Sequence, residues 1–143
     1  MRRLCLTMLL MCLATMATKQ ASAFVEFHKE WVKMYIDDSD ESEEMKEYQK
    51  LVAKGKYRCL VCHQGKKKQN HNEYGKHFIG KIGKDDKKDT DKIVEALKEI
   101  GKMKSDSDDE DSATYDELIE EKKFPGGELE DLEKEPETEE ETE

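Results

Sequence analysis

The sequence Lys56-Tyr57-Arg58-Cys59-Leu60-Val61-Cys62-His63 is the stretch around which this chain is organised. It contains the pattern Cys-x-x-Cys-His, which is typical of covalent attachment of a c-type haem. Two thiols three positions apart on one turn can each add to a vinyl group of the haem. The imidazole that follows directly can ligate the iron. The pattern therefore predicts Cys59 and Cys62 as thioether residues and His63 as the proximal iron ligand of one haem c.

The composition limits the core that the chain can build. Of 143 residues, 42% are charged and only 35% are hydrophobic. That length is enough for one domain, and a polar chain of this size gains stability from a cofactor or another crosslink. A haem would supply a large apolar surface against which a few helices can pack.

Residues 1–23 have the pattern of a secretory signal peptide. Arg2 and Arg3 precede an apolar run, and Ala21-Ser22-Ala23 is a small-residue cleavage site. The apolar run is shorter than the roughly 20 residues that a membrane-spanning helix needs. We therefore expect an exported protein, periplasmic or secreted, with no stable membrane span after cleavage.

Export changes the interpretation of the cysteines. Of the four cysteines in the chain, Cys5 and Cys12 lie within the predicted signal peptide. The exported chain retains only Cys59 and Cys62, so no disulfide framework is expected. These two thiols must pair with each other, bind a metal or carry a haem.

Charge divides the exported chain into two parts. Residues 24–104 contain 19 Lys and Arg against 16 Asp and Glu, a net charge of +3, whereas residues 105–143 contain 3 Lys against 19 Asp and Glu, a net charge of −16. This balance argues against nucleic-acid binding, which needs a dominant basic surface. We expect a haem domain over residues 24–127, with an acidic linker at 105–113, and a disordered acidic tail over residues 128–143.

Apolar residues recur at three- and four-residue steps, and no segment alternates convincingly with a period of two. The prediction is an all-α fold, a small cytochrome c-like domain of four to five short helices around one haem. Trp31 is expected in its core. The predicted helices span residues 24–36, 43–54, a short stretch after Asn70 or Asn72, 90–100 and 114–123. Aromatic and aliphatic residues are expected to form the wall of the haem pocket: Tyr57, Tyr74, Phe78, Val94 and Leu97.

Five motifs together cover most of the exported chain. They are Phe-x-x-x-Trp-Val at 27–32, Cys-x-x-Cys-His-x-Gly-Lys at 59–66, Asn-x-Tyr-Gly at 72–75, Thr-Tyr-x-Glu-Leu-Ile at 114–119 and Pro-Gly-Gly at 125–127. In these motifs the chain resembles the small exported c-type cytochrome-like proteins of planctomycete bacteria. The resemblance implies a small helical haem domain outside the cytoplasm.

The distal iron ligand stays open between several residues. Met103 is the only methionine after the haem motif, and a methionine ligand would raise the reduction potential. His77 and His71 are the alternatives for bis-histidine ligation. An open distal site would permit weak peroxidase activity, although no catalytic residues are predicted and we expect an electron carrier rather than an enzyme.

Three other functions are compatible with parts of the sequence. Cys59, Cys62, His71 and His77 have a spacing that could form an exported tetrahedral zinc site. A thiol redox role for the Cys-x-x-Cys pair would need a preceding strand, which the sequence does not predict. A haem-bearing interaction protein without electron turnover has the same sequence features as an electron carrier.

The redox partner is an unidentified protein, and the oligomeric state is left open. Lys66-Lys67-Lys68 could form a solvated turn or an electrostatic docking ring beside the haem edge. The acidic tail could serve solubility, or it could fold over these lysines and screen the haem.

Overall fold

A computed structural model describes residues 25–136 of the chain. The predicted signal peptide and residues 137–143 lie outside this range. The described residues contain helices and turns but no β-strand, so the prediction of an all-α fold is confirmed. The α-helices are α1 (Val25–Tyr35), α2 (Glu43–Gln49), α3 (Glu73–Lys76), α4 (Thr90–Gly101), α5 (Tyr115–Glu120) and α6 (Leu129–Leu132), with 3₁₀ turns at Lys56–Val61 and Lys84–Asp86.

Side-chain caps begin several of these helices. Ser42 Oγ accepts a hydrogen bond from the Met45 amide (3.2 Å), and Asp89 Oδ1 accepts one from the Lys92 amide (3.0 Å). Such a cap satisfies an amide that has no partner inside the helix. The helix starts predicted at these positions are therefore observed.

The core forms where α1 packs against α4. Trp31 of α1 is 1% exposed, which confirms its predicted place in the core. Ile93, Leu97 and Ile100 are the buried stripe of α4. The other fully enclosed large side chains are aromatic or β-branched, and they come from α3, α5 and the segments around the Cys59–His63 stretch: Tyr74, Tyr115, Ile119, Val52 and Val61.

The second predicted helix changes its winding before it ends. It is α-helical to Gln49 and continues as one π-helical turn over Lys50–Lys54. Gly55 then takes an extended conformation, and a side chain there would collide with the Lys50 carbonyl oxygen. The chain turns sharply at this glycine and enters the 3₁₀ turn that contains Cys59.

The acidic segment after α4 closes on itself. The Ser105 amide donates to the Ala113 carbonyl (2.9 Å), and Lys104 and Thr114 form an isolated antiparallel bridge. Thr114 and Glu117 then cap α5 reciprocally. The expected linker is thus a closed surface loop between α4 and α5.

The C-terminal segment differs from the expectation of disorder after residue 127. Residues 129–132 form α6, and Leu132 is only 2% exposed. An apolar side chain at this position is drawn into the core, because its burial is favourable even within an acidic sequence. The prediction is wrong for residues 128–136, and residues 137–143 lie outside the described range.

Within residues 25–136, no helix combines the length and apolar character that crossing a membrane requires.

Candidate functional site

One backbone turn brings the three residues of the Cys-x-x-Cys-His pattern together. The amides of Cys62 (3.3 Å) and His63 (2.9 Å) both donate to the Cys59 carbonyl. Residues separated by three and four positions on a helical turn lie on the same face. Cys59 in the 3₁₀ turn Lys56–Val61, and Cys62 and His63 directly after it, are therefore held on a single short piece of backbone.

The two thiols have different surroundings. Cys59 is half-buried and lines a surface cavity of about 350 Å³, whereas Cys62 is not among the residues that line it. Burial, with a smaller contribution from Cys59, raises the pKa of Cys62 to about 12. Both cysteines are free thiols, so the two are not joined in a disulfide.

His63 is held in its neutral form. Burial, followed by the neighbouring His71, lowers the pKa of His63 to about 4. Its Nδ1 atom is buried and has no hydrogen-bond partner among residues 25–136. A neutral imidazole with a free ring nitrogen is the form that binds metals.

Asn72 fixes the backbone of this turn from the inside. It is 2% exposed, and its Nδ2 atom donates to the Leu60 carbonyl at 2.8 Å, with longer contacts of 3.3 Å to the carbonyls of Val61 and His63. Its Oδ1 atom accepts from the Gly75 amide (2.8 Å) and so caps α3. One buried amide therefore joins the Cys59–His63 turn to α3.

Gly75 brings α3 close to the same turn. A Cβ atom at this position would overlap the Cys62 carbonyl oxygen. The absence of a side chain lets the two backbones approach and brings Tyr74 into the core, where it is fully buried.

Lysines surround the cavity beside Cys59. Besides Cys59 and His63, four lysines and four other residues line the cavity: Lys56, Lys66, Lys67, Lys68, Tyr57, Leu60, Gly65 and Glu133. Among the five residues expected in the pocket wall, only Tyr57 lines this cavity. Tyr74 and Leu97 are buried in the core, Phe78 packs against it, and Val94 lies in a separate groove along α4. These four side chains do not line the cavity beside Cys59, and their place in the wall of a haem pocket stays a prediction.

The three distal-ligand candidates have different neighbours in the structure. The rings of His63 and His71 are adjacent, with centroids 4.8 Å apart. His77 Nε2 is instead 3.1 Å from the Tyr115 hydroxyl, and the Met103 carbonyl accepts from the Tyr115 amide (3.1 Å).

The predicted zinc ligands do not come together. Among the described residues, no three His, Cys, Asp or Glu side chains are grouped so that they could hold a metal ion. His77 packs against Tyr115 with ring centroids 5.5 Å apart, and the partly buried Cys62 packs against the core and does not line the cavity. The Cys59, Cys62, His71 and His77 set is therefore not a tetrahedral site in this structure.

The C-terminal segment lies against the loop that follows His63. The Gly65 amide donates to the Leu132 carbonyl (2.8 Å), and Glu135 accepts from the Lys66 amide (3.0 Å) and from Asn70 Nδ2 (2.9 Å). Lys56 and Glu133 form an ion pair at 3.8 Å across the cavity edge. One of the two expected roles of the acidic tail was to fold over Lys66–Lys68, and the segment up to Glu135 does contact this loop. The individual contacts of Leu132 and Glu135 were not predicted, and their only local signal is the pair Leu129 and Leu132 within an acidic run.

Comparison with known proteins adds no relative: no family model, no curated protein and no solved structure matches this chain.

Proposed function

We propose that this protein is an exported mono-haem c-type cytochrome that carries single electrons. Cys59 and Cys62 would form the thioethers, and His63 would be the proximal iron ligand. The observation that supports this proposal best is the single turn that joins all three residues, of which Cys59 and His63 line a lysine-rimmed cavity. When bound, the haem supplies a metal centre that accepts and releases one electron.

The chemistry of the donor set fits a haem c. His63 is neutral, and its buried Nδ1 atom lacks a partner among the described residues. Haem carries two propionate carboxylates, and the cavity rim offers the ammonium groups of Lys56 and Lys66–Lys68. Charge-assisted hydrogen bonds between ammonium and carboxylate groups are among the strong polar contacts in proteins.

Each residue of the turn would have a distinct part in holding the group. Cys59 already lines the cavity, whereas the partly buried Cys62 packs against the core, so its thiol would have to turn toward the haem before a second thioether could form. Asn72 holds the backbone carbonyls of this turn in place, so the attachment residues keep their spacing.

The distal ligand belongs to the proposal and is either Met103 or His77. Met103 is 37% exposed, so its side chain is accessible. His77 would have to leave the Tyr115 hydroxyl. His71 is the third candidate, and its ring lies next to that of His63. If neither residue binds, the open site would give weak peroxidase activity.

Export is proposed from residues 1–23, whose pattern of basic start, apolar run and Ala-Ser-Ala site is that of a signal peptide. Export agrees with a Cys-x-x-Cys-His site, because haem is attached covalently to this motif outside the bacterial cytoplasm. An exported carrier would exchange electrons with another protein.

The test is a pyridine haemochrome spectrum of the exported protein after extraction with acidified acetone. A reduced α band that stays with the chain would support covalent haem. Cys59→Ala and Cys62→Ala should each shift this band, because one vinyl group stays unsaturated. Cys5→Ala is the matched control within the predicted signal peptide and should leave the band unchanged. A colourless wild-type protein, produced with haem-attachment machinery present, would refute the proposal.

Met103→Ala and His77→Ala then separate the two distal candidates. A weak near-infrared charge-transfer band in the oxidised protein indicates methionine ligation, and Met103→Ala would abolish it. If His77 is the ligand, only His77→Ala would change the oxidised spectrum.

A further inference from the structure

The loop between His63 and His71 is closed at its base. The Gln64 amide donates to the Asn70 carbonyl (2.9 Å), and His63 and His71 form an isolated antiparallel bridge. Gly65 has a φ of +66°, a left-handed conformation that suits glycine. This geometry projects Lys66–Lys68 from a short, fixed loop into solvent.

A carboxylate is bound on this loop. Glu135 Oε1 accepts from the Lys66 amide (3.0 Å), and Glu135 Oε2 accepts from Asn70 Nδ2 (2.9 Å). Both oxygens are thus engaged by donors from opposite ends of the same loop. Two N–H donors directed at the two oxygens of one group give geometric specificity for a carboxylate.

The chain delivers this carboxylate from an anchored segment. Leu132 is buried, its carbonyl accepts from the Gly65 amide (2.8 Å), and Gln64 Nε2 donates to the Asp131 carbonyl (3.2 Å). A Cβ atom on Gly65 would lie 2.8 Å from the Glu135 carboxyl carbon, so glycine is also needed for the close approach.

The positive charge around the loop exceeds what this one carboxylate balances. Within the range 25–136, none of the ammonium groups of Lys66, Lys67 and Lys68 is in an ion pair. Glu135 itself is exposed, and exposed contacts of this kind are weak enough to open reversibly.

We propose that the loop Gln64–Asn70 is a carboxylate-binding docking site for an acidic segment of a partner protein, and that Glu135 occupies it as an intramolecular competitor. The partner's carboxylate takes the Lys66 amide and the Asn70 side chain, and its remaining acidic residues face the free lysines. That this partner is the redox partner rests on the proposed function, whereas the site itself does not.

The test uses a fluorescently labelled hexaglutamate peptide and the full exported chain at low salt, with binding measured by fluorescence anisotropy. Glu135→Gln keeps one acceptor for the Lys66 amide but places an amide group against the Asn70 amide. We expect this variant to bind the peptide about three- to tenfold more tightly than the wild type, the size of one exposed polar contact. Lys67→Gln in the same background should weaken binding again.

Glu130→Gln is the matched control, because Glu130 lies in α6, is exposed and makes no hydrogen bond to the loop among the described residues. It removes the same charge from the same segment. Equal tightening by Glu130→Gln and Glu135→Gln would reduce the effect to net charge and overturn the proposal. An unchanged affinity in Glu135→Gln would overturn it as well.

The assay does not depend on a haem. A colourless protein with tighter peptide binding in Glu135→Gln alone would retain the docking site and remove only the cytochrome proposal. A haem-bearing protein in which Glu135→Gln binds the peptide no more tightly than the wild type would retain the cytochrome proposal and remove the docking site. Shifts of the Lys66 amide and Asn70 side-chain NMR signals on peptide addition should locate the binding, and shifts confined to other residues would refute the assignment.

Discussion

Replacing Asn72 with alanine should destabilise the protein more than any exposed helix cap does. The substitution removes the acceptor for the Gly75 amide, and loss of an N-cap costs about 1 kcal/mol. It also leaves the buried Leu60 carbonyl without its 2.8 Å donor, which costs about 1–3 kcal/mol. We therefore expect Asn72→Ala to lower the free energy of unfolding by about 2–4 kcal/mol, a large part of the roughly 5–15 kcal/mol of a typical domain.

Urea unfolding followed by far-ultraviolet circular dichroism measures this loss, and the helical signal is independent of any haem band. Two variants divide the effect. Asn72→Ser retains a side-chain oxygen for the Gly75 amide but no amide donor, so it should recover only about 1 kcal/mol. Ser42→Ala removes an exposed cap with a single hydrogen bond and should cost about 1 kcal/mol.

An Asn72→Ala protein no less stable than Ser42→Ala would contradict the role assigned to Asn72. It would mean that the carbonyls of the Cys59–His63 turn do not need the buried amide. An Asn72→Ser protein as stable as the wild type would refute the part assigned to the donor alone.

Leu132→Ala should lower the free energy of unfolding by about 2–4 kcal/mol, because it leaves a cavity at a buried position, whereas Leu129→Ala should cost less because Leu129 is half-buried. Equal and negligible losses in urea unfolding would mean that this segment is disordered. Burial lowers the pKa of His28, whose Nε2 atom lies 2.8 Å from the Val52 carbonyl oxygen. Below the ordinary histidine pKa of about 6.5, the folded state therefore binds fewer protons than the unfolded state. Stability should therefore decline as the pH falls from 7 to 5, and His28→Gln should decline less over that range; identical urea midpoints against pH in both proteins would contradict the assigned role.

Local patterns were enough to predict α1, α2, α4 and α5 and where they begin. Trp31 and the Ile93, Leu97 and Ile100 stripe follow the helical period, and burial of a helix face depends mainly on that period. Ser42 and Asp89 cap within three residues, a distance over which sequence and structure are directly linked.

The cysteine–histidine turn was predictable for the same reason. Its hydrogen bonds to the Cys59 carbonyl join residues three and four positions apart. The sequence could not show that Cys59 lines the cavity while Cys62 packs against the core. The surroundings of each cysteine depend on where α3 and Tyr74 pack.

The remaining parts of the site depend on contacts between distant residues. Glu135 meets Lys66 and Asn70 across 69 and 65 positions, and nothing in a run of glutamates distinguishes this one from its neighbours. The acidic composition around Leu132 predicts a disordered tail, because one apolar side chain does not outweigh the many charged residues around it. The π-helical turn at Lys50–Lys54 likewise has no local signature that separates it from an α-helix.

The closed loop between Ser105 and Ala113 has a practical consequence for work on this protein. Its two ends are already tied together by the backbone, through the Ser105–Ala113 hydrogen bond and the Lys104–Thr114 bridge. Because the entropy of closing a flexible loop grows slowly, doubling its length costs only about 0.6 kcal/mol. Its exposed tip around Asp109 is therefore a permissive place to insert an epitope tag or a fluorophore, where neither terminus has to be altered.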